Sequence, residues 1–253
     1  MMRDRTPLDL DAARWAIRNG RSVVIPDLDV AVCDIDGHRF CFASDRVKDP
    51  IQRANRKGRF YEEEELALIR THLKEGAVFV DVGANVGNHS LFVAAFLNPV
   101  RIIPFEPNPP AYKLLLANVV MNGFQHLFDL THIGLGLADE KAEGLSMSVP
   151  ERNLGAARML PDTGNVATIT GDEALTGTTP DFIKIDVEGM EMMVLHGLAE
   201  TIARCAPMIL IEVDRENDDA FQDWINTKDY EVLETFQRYQ VNRNYLLKKR
   251  VPA

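Results

Sequence analysis

The sequence predicts an α/β protein of the nucleotide-binding kind, and three observations carry that prediction. Ala77 to Val82 is an apolar run broken only by Asp81 and bounded by Gly76 and Gly83, the pattern of a parallel strand buried on both faces. Gly83 and Gly87 then make a tight turn into Leu91–Leu97, an apolar stretch without Gly or Pro that reads as a buried helix. Short apolar runs ending in a carboxylate recur along the chain: Ile102–Phe105 before Glu106, Phe182–Ile185 before Asp186, and Met208–Ile211 before Glu212. In doubly wound sheets such strand ends line the ligand site.

The elements follow in order. Leu8 to Asn19 is expected to be a helix. Asp36-Gly37 is a two-residue hairpin turn that pairs Ile35 with His38, Asp34 with Arg39 and Cys33 with Phe40. That register puts Cys33 and Cys41 on opposite faces, so they cannot bridge, and makes Asp34 and Arg39 an exposed cross-strand ion pair. A polar link carrying Arg53, Arg56, Lys57 and Arg59 reads as a solvated surface. Residues 1–60 thus form an N-terminal extension of helix plus hairpin, and residues 61–253 the main domain. Tyr61 to Lys74 is a helix with Leu66, Ile69 and Leu73 at helical spacing and Gly76 as its stop.

Asn108 and Pro109 are a cap and first helical position, with the helix running to Met121. Asp129 to Leu135 is expected as a third strand, ending at Gly134, where the backbone could pass close to an adenine ring. Residues 139–164 have no sustained period and stay unassigned between a wandering connection and an edge hairpin. Lys184 shares a strand face with Asp186, which calls for an ion network, because an unpaired buried ammonium is costly. A helix over Met190–Arg204, a fifth strand, a helix over Phe221–Asn226 and an antiparallel pair, Glu231–Phe236 with Asn244–Lys249, complete the chain.

Composition narrows the function. Hydrophobic residues make up 46% and charged residues 26% of the 253, as in ordinary globular proteins. No apolar run nears the roughly 20 residues that span a bilayer. Met1 to Arg5 is not followed by an apolar stretch, so no signal peptide is expected. Three cysteines make no disulfide framework, and a cytoplasmic setting is the expectation. The net charge of −10 argues against an extended nucleic-acid surface and leaves room only for a local patch.

The glycine spacing discriminates between cofactors. A dinucleotide fingerprint has glycine where this chain has Asn85, whose side chain would intrude on a pyrophosphate. S-adenosylmethionine needs room for its methionine end and an acidic partner for its ribose, which Glu106 can supply. The expected cofactor set is Asp81, Gly83, Ala84, Asn85, Gly87, Asn88, Glu106, Pro107 and Gly134. Asp186 and Glu188, after the fourth strand, are the catalytic candidates, placed to activate an acceptor hydroxyl. No histidine has ligand-like spacing to another and no compact ligand motif is present, so no metal site is assigned; the alternative is that Asp186 helps hold a magnesium ion, with Glu188 and Glu212 as companions. A nicotinamide-dependent oxidoreductase and a non-catalytic S-adenosylmethionine-binding module are the alternatives.

The chain resembles FkbM-type methyltransferases. The matching residues are Asp81–Asn88, Phe105–Pro109 with Asn118 and Asn122, Asp181–Gly189 with Glu191 and Val194-Leu195, and Ile211–Val213. Phe60-Tyr61-Glu62 resembles the family's lead-in to the first strand, and Gly171-Asp172 departs from its usual Leu-Asp. The resemblance implies a class I methyltransferase (Rossmann-like) fold, a seven-stranded sheet of five parallel strands and a final hairpin flanked by helices. It also implies S-adenosylmethionine as methyl donor and an oxygen acceptor on a glycan or natural product.

Overall fold

The computed structural model describes residues 9–21, 28–161 and 163–250. Leu8, the first residue of the expected N-terminal helix, lies outside them. Helix α1 (Leu10–Arg18) is capped by Asp9, whose carboxylate accepts the Ala12 amide. Strands β1 (Asp29–Ile35) and β2 (His38–Ser44) form the hairpin in the predicted register, with Arg39 3.1 Å from Asp34. The link that follows is not purely a solvated surface: it contains helix α2 (Pro50–Asn55), started by Pro50 and the buried cap Asp49.

Helix α3 (Glu63–His72) leads to the central strand β3 (Val78–Val82), helix α4 (Asn88–Phe96), strand β4 (Arg101–Phe105) and helix α5 (Pro109–Met121). Strands β5 (Leu135–Ala138), β6 (Ala142–Ser148), β7 (Arg158–Leu160) and β8 (Val166–Thr170) follow, then helix α6 (Gly171–Ala174) and strand β9 (Phe182–Ile185). Helices α7 (Glu191–Gly197) and α8 (Ala199–Cys205), strand β10 (Met208–Asp214), helix α9 (Asp218–Thr227) and strands β11 (Tyr230–Phe236) and β12 (Asn242–Lys249) end the chain.

The main sheet has six strands, not the expected seven, in the order β11-β12-β10-β9-β3-β4. Strands β10, β9, β3 and β4 are parallel, and β12 and β11 are antiparallel. The missing strand was expected over Asp129–Leu135. There the chain makes one parallel bridge, Phe128 with Ile102, before Asp129 accepts the Thr131 amide and Gly134 turns left-handed at φ +89°. Pairing cannot propagate past those two turns. Strand β5 instead opens a second, four-stranded sheet, β5-β8-β6-β7, which gives residues 139–164 most of their structure.

Alternation along the strands divides the core. Val80, Val82, Ile183, Ile185, Ile209 and Ile211 meet α7, α8 and α9 on one face. Phe79, Ile102, Phe182 and Leu210 meet α4 and α5 on the other, at about 1.5–3 kcal/mol per buried large side chain. The expected single helix over Met190–Arg204 is broken at Leu198, because Gly197 packs against the Ala138 carbonyl with no room for a Cβ. Gly171, the departure from the family pattern, lies against Leu198, and Asp172 caps α8 through the amides of Glu200 and Thr201. The hairpin is fastened to α5 by two asparagines: Asn118 accepts the Ala43 amide and donates to the Val86 carbonyl, and Asn122 bonds both backbone groups of Cys41.

Candidate active site

The site lies at the carboxyl ends of β3, β4, β9 and β10, where two βα turns touch. The first turn, Gly83–Gly87, follows β3. Gly83 is at φ +78°, and a Cβ there would stand 1.8 Å from the Asp186 carbonyl oxygen. Glycine is required at this point by the neighbouring turn. Four of the five amides of this turn are already used: Gly83 and Ala84 donate to the Phe105 carbonyl, Gly87 to the Ala84 carbonyl, and Asn85 to Glu106 Oε2 at 2.8 Å.

What the turn offers instead is acceptors. Glu106 is buried and receives the amides of Asn85 and Asn108, one on each oxygen, which leaves further lone pairs on both. Burial pushes its carboxyl up to about 7, against the pull of those two amides. Asn85 is left-handed at φ +50°, and its buried Oδ1 has no partner. A cleft of about 590 Å³ opens here, lined by Asn85, Glu106, Pro107, Gly136, Leu137 and Met159 among others. A donor-poor, acceptor-rich cradle fits a cationic nucleoside with free ribose hydroxyls and does not fit a pyrophosphate.

The second turn, Asp186–Gly189, follows β9. Register places Lys184 beside Asp81, and Lys184 Nζ lies 3.3 Å from Asp81, 3.5 Å from Asp186 and 2.9 Å from the Gly83 carbonyl to which it donates. The predicted ion network is therefore present and ties both turns together. Burial alone would lower the Lys184 pKa; Asp81, Asp186 and Glu62 hold it above its ordinary value. Asp186, Glu188 and Glu212 bring one carboxylate oxygen each within 4.8 Å of one another, spacing that a divalent cation could bridge. These are the companions the sequence offers should Asp186 hold a magnesium ion, although they come from two strand ends remote in the chain and form no compact ligand motif.

A second cleft of about 850 Å³ adjoins the first and is lined by Tyr61, Glu62, His89, Asp186, Glu212 and Tyr239 among others. Burial and Asp186 raise Glu188 to about 7 and Glu212 to about 9. Burial and Asp186 likewise raise Glu62 to about 8, and burial with Lys184 lowers His89 to about 3, keeping it neutral. His89 Nε2 stands 3.6 Å from Glu62, and Arg238 Nη1 3.3 Å from it on the other side.

The sequence profile of the Methyltransferase FkbM domain matches residues 81–242. The chain belongs to this family. Among curated relatives, the hexuronic acid methyltransferase AglP of Haloferax volcanii is 23% identical over 186 residues, covering 72% of this chain and 73% of the relative. The crystal structure of an FkbM methyltransferase from Methylobacillus flagellatus KT aligns at TM-score 0.51 and 18% identity over 69% of this chain. The match takes in 44% of that protein, so this chain spans under half of its length. A putative rRNA-methylase from Clostridium thermocellum aligns at TM-score 0.52 and 11% identity, over 76% of this chain and 96% of that one. These two likenesses establish the fold alone.

Within this FkbM domain the residues singled out from sequence separate into groups. Gly83, Asn85, Glu106, Pro107, Asp186 and Glu188 line the first cleft, and Ala84 and Asn88 the second. Asp81 is fully buried and bound by Lys184 and the Ser90 hydroxyl, so it braces the turn from behind. Asn88 spends its side chain on both backbone groups of Tyr61, and Gly87 faces Leu115. Gly134 is placed elsewhere: it packs against Leu10 and Tyr112, and the residue of that segment in the first cleft is Gly136. Asn108 begins α5 without a side-chain cap; its amide serves Glu106. Tyr239 carried no sequence signal, Glu62 appeared only in the lead-in to the first strand, His89 only as a neighbour of the glycine turn, and the segment around Gly155 only within the unassigned residues 139–164. Among the described residues, no helix is long and apolar enough to cross a membrane.

Proposed function

We propose that this methyltransferase transfers the methyl group of S-adenosylmethionine to a hydroxyl oxygen of a glycan or natural-product-like acceptor. The observation that carries the reading is the chemistry of the glycine turn, whose amides at Gly83, Ala84, Asn85 and Gly87 are consumed while Glu106 and Asn85 Oδ1 keep acceptor capacity. S-adenosylmethionine supplies a methyl group activated by its sulfonium. Glu106 would accept the ribose hydroxyls, and the carboxylates around the second turn would favour the sulfonium and ammonium charges.

On the acceptor side, Asp186, 3.5 Å from Lys184, would orient the hydroxyl and take its proton on a carboxylate oxygen as the oxygen–methyl bond forms and the methyl–sulfur bond breaks, leaving S-adenosylhomocysteine. Glu188, raised to about 7, is a second proton-holding group beside it. Lining residues from both turns and from β10 fix the approach, and alignment supplies much of the acceleration in such displacements. AglP, a hexuronic acid methyltransferase, supports a glycan acceptor. The net charge of −10 and the carboxylates of the second cleft weigh against a phosphate backbone, although one neighbour in fold is a putative rRNA-methylase. Incubation with methyl-labelled S-adenosylmethionine and separate pools of glycans, metabolites and RNA, read by mass spectrometry, tests the reading. Label on a glycan or metabolite hydroxyl is the expected result; label on RNA, or none with any pool, would overturn it.

A further inference from the structure

The wall between the two clefts is made by residues 153–157: Leu154 and Ala157 line the first, Asn153 and Ala156 the second, and Gly155 both. A Cβ on Gly155 would stand 3.1 Å from Asn85 Nδ2, so this wall abuts the glycine turn itself. Residues 149–157 carry no strand or helix of their own, yet they are fixed from a distant part of the chain. Asp49 is fully buried and has two backbone donors: the Gln52 amide on Oδ1 at 3.0 Å, which caps α2, and the Leu154 amide on Oδ2 at 2.8 Å. Arg46 Nη1 donates to the carbonyls of Pro150 at 2.8 Å and Glu151 at 3.1 Å. The Leu154 side chain completes the attachment, buried with Ala43, Ile51, Val86 and Leu114.

We infer that Asp49 and Arg46 are positioning residues that hold the 153–157 wall against the glycine turn and so set the affinity for the cofactor. The inference rests on the reading of S-adenosylmethionine as that cofactor. A loop without secondary structure must lose backbone entropy to form half of a binding cleft, about 1–2 kcal/mol per residue fixed. Here that ordering is done in advance by two anchors outside the matched domain, one of them a buried carboxylate whose second oxygen has no other described partner than Leu154. Neither anchor lines either cleft, so each acts through the loop and not by touching the ligand.

Calorimetric titration with S-adenosylmethionine, paired with amide hydrogen exchange, tests this on the full chain. Arg46→Ala removes the two carbonyl contacts and leaves the α2 cap intact. Asp49→Asn keeps one acceptor oxygen where two are needed. Each is expected to raise Kd about tenfold, the worth of one buried hydrogen bond. The Leu154 and Gly155 amides should then exchange faster while the Val80 amide in β3 exchanges as in wild type. Arg46→Lys, which can still donate to those carbonyls, should restore most of the affinity. Wild-type affinity in both weakened variants would overturn the inference, as would a loss that follows the melting temperature and is not rescued by lysine. Wild-type protein that does not bind S-adenosylmethionine would instead overturn the cofactor assignment, and the inference with it.

Discussion

The two turns at the centre of the site have the same shape and opposite chemistry. Each follows a parallel strand, and each holds a non-glycine residue in the left-handed region, Asn85 at φ +50° and Glu188 at φ +50°. In the first turn nearly every polar group has found its partner inside the protein, down to the two amides on Glu106. In the second, Asp186, Glu188 and Glu212 face one another with Lys184 touching only Asp186 of the three. The first turn is preorganised; the second stores electrostatic repulsion that a ligand can relieve. Strained backbone in both turns is the kind that persists where surrounding structure over-determines it. A site divided in this way can bind through one half and react at the other.

If the turns are one mechanical unit, the largest loss of stability should come from separating them. Gly83→Ala puts a methyl carbon 1.8 Å from the Asp186 carbonyl oxygen at φ +78°, so one turn must move away from the other. A loss of about 5 kcal/mol is expected, enough to abolish folding in a marginal domain. A Gly83→Ala protein with wild-type denaturant midpoint would break the description of the two turns as touching. Lys184→Met comes next. It leaves Asp81, which is fully buried, without its cation, and it removes the bond to the Gly83 carbonyl. The expected cost is about 3–5 kcal/mol, measured by chemical denaturation.

A third effect sharpens the contrast through pH. Glu106 is raised from an ordinary 4.5 to about 7. Between those values the folded protein holds a proton that the unfolded chain releases, so the contribution to stability is complete below about 4.5 and is lost as pH rises through 7. The fall amounts to about 3 kcal/mol at most. Glu106→Gln should be less stable at low pH, because its amide group must face a backbone donor, yet its melting temperature should decline less between pH 5 and 8. Equal declines in the two proteins would show that the first turn is not where the proton resides.

The same contrast explains what was legible in the sequence. The hairpin register, β3, the glycine turn and the helix from Pro109 follow from local patterns, because strand alternation, glycine placement and proline at the helix start act over a few residues. Glu106 was readable for the same reason, as the residue that ends an apolar run. The second cleft was only half readable. Asp186 and Glu188 stand in one motif, but Glu62, His89 and Tyr239 join them by tertiary contact, and no period relates residue 62 to residue 239. The expected strand at Asp129–Leu135 failed because its apolar character was spent on packing Leu130 and Ile133 under α1 and α5, with turns at both ends. Gly134 belongs to the same stretch: its left-handed φ serves a turn against Leu10 of α1, and Gly136 is the glycine of that segment that lines the first cleft.

The smallest expected effect on stability is also the one that divides the two halves most cleanly. Asp186→Asn removes a charge that raises Glu188 and Glu212, so relief of repulsion offsets the loss of the 3.5 Å contact with Lys184, which keeps Asp81. The melting temperature should therefore stay near wild type, and S-adenosylmethionine affinity should fall only slightly, because Glu106 and Asn85 are untouched and one of several surrounding carboxylates is lost. Methyl transfer in a single turnover should fall on the order of 10²–10⁴-fold, the usual worth of a positioned base. Should the three carboxylates act by holding a divalent cation, chelator would reproduce the loss in wild-type protein and magnesium would reverse it, with no effect of either on binding to the first cleft. Joint loss of stability, binding and turnover would mean that Asp186 only neutralises Lys184. The second turn would then be a structural copy of the first, and the chemistry would have to come from Glu62 or Glu212 across the cleft.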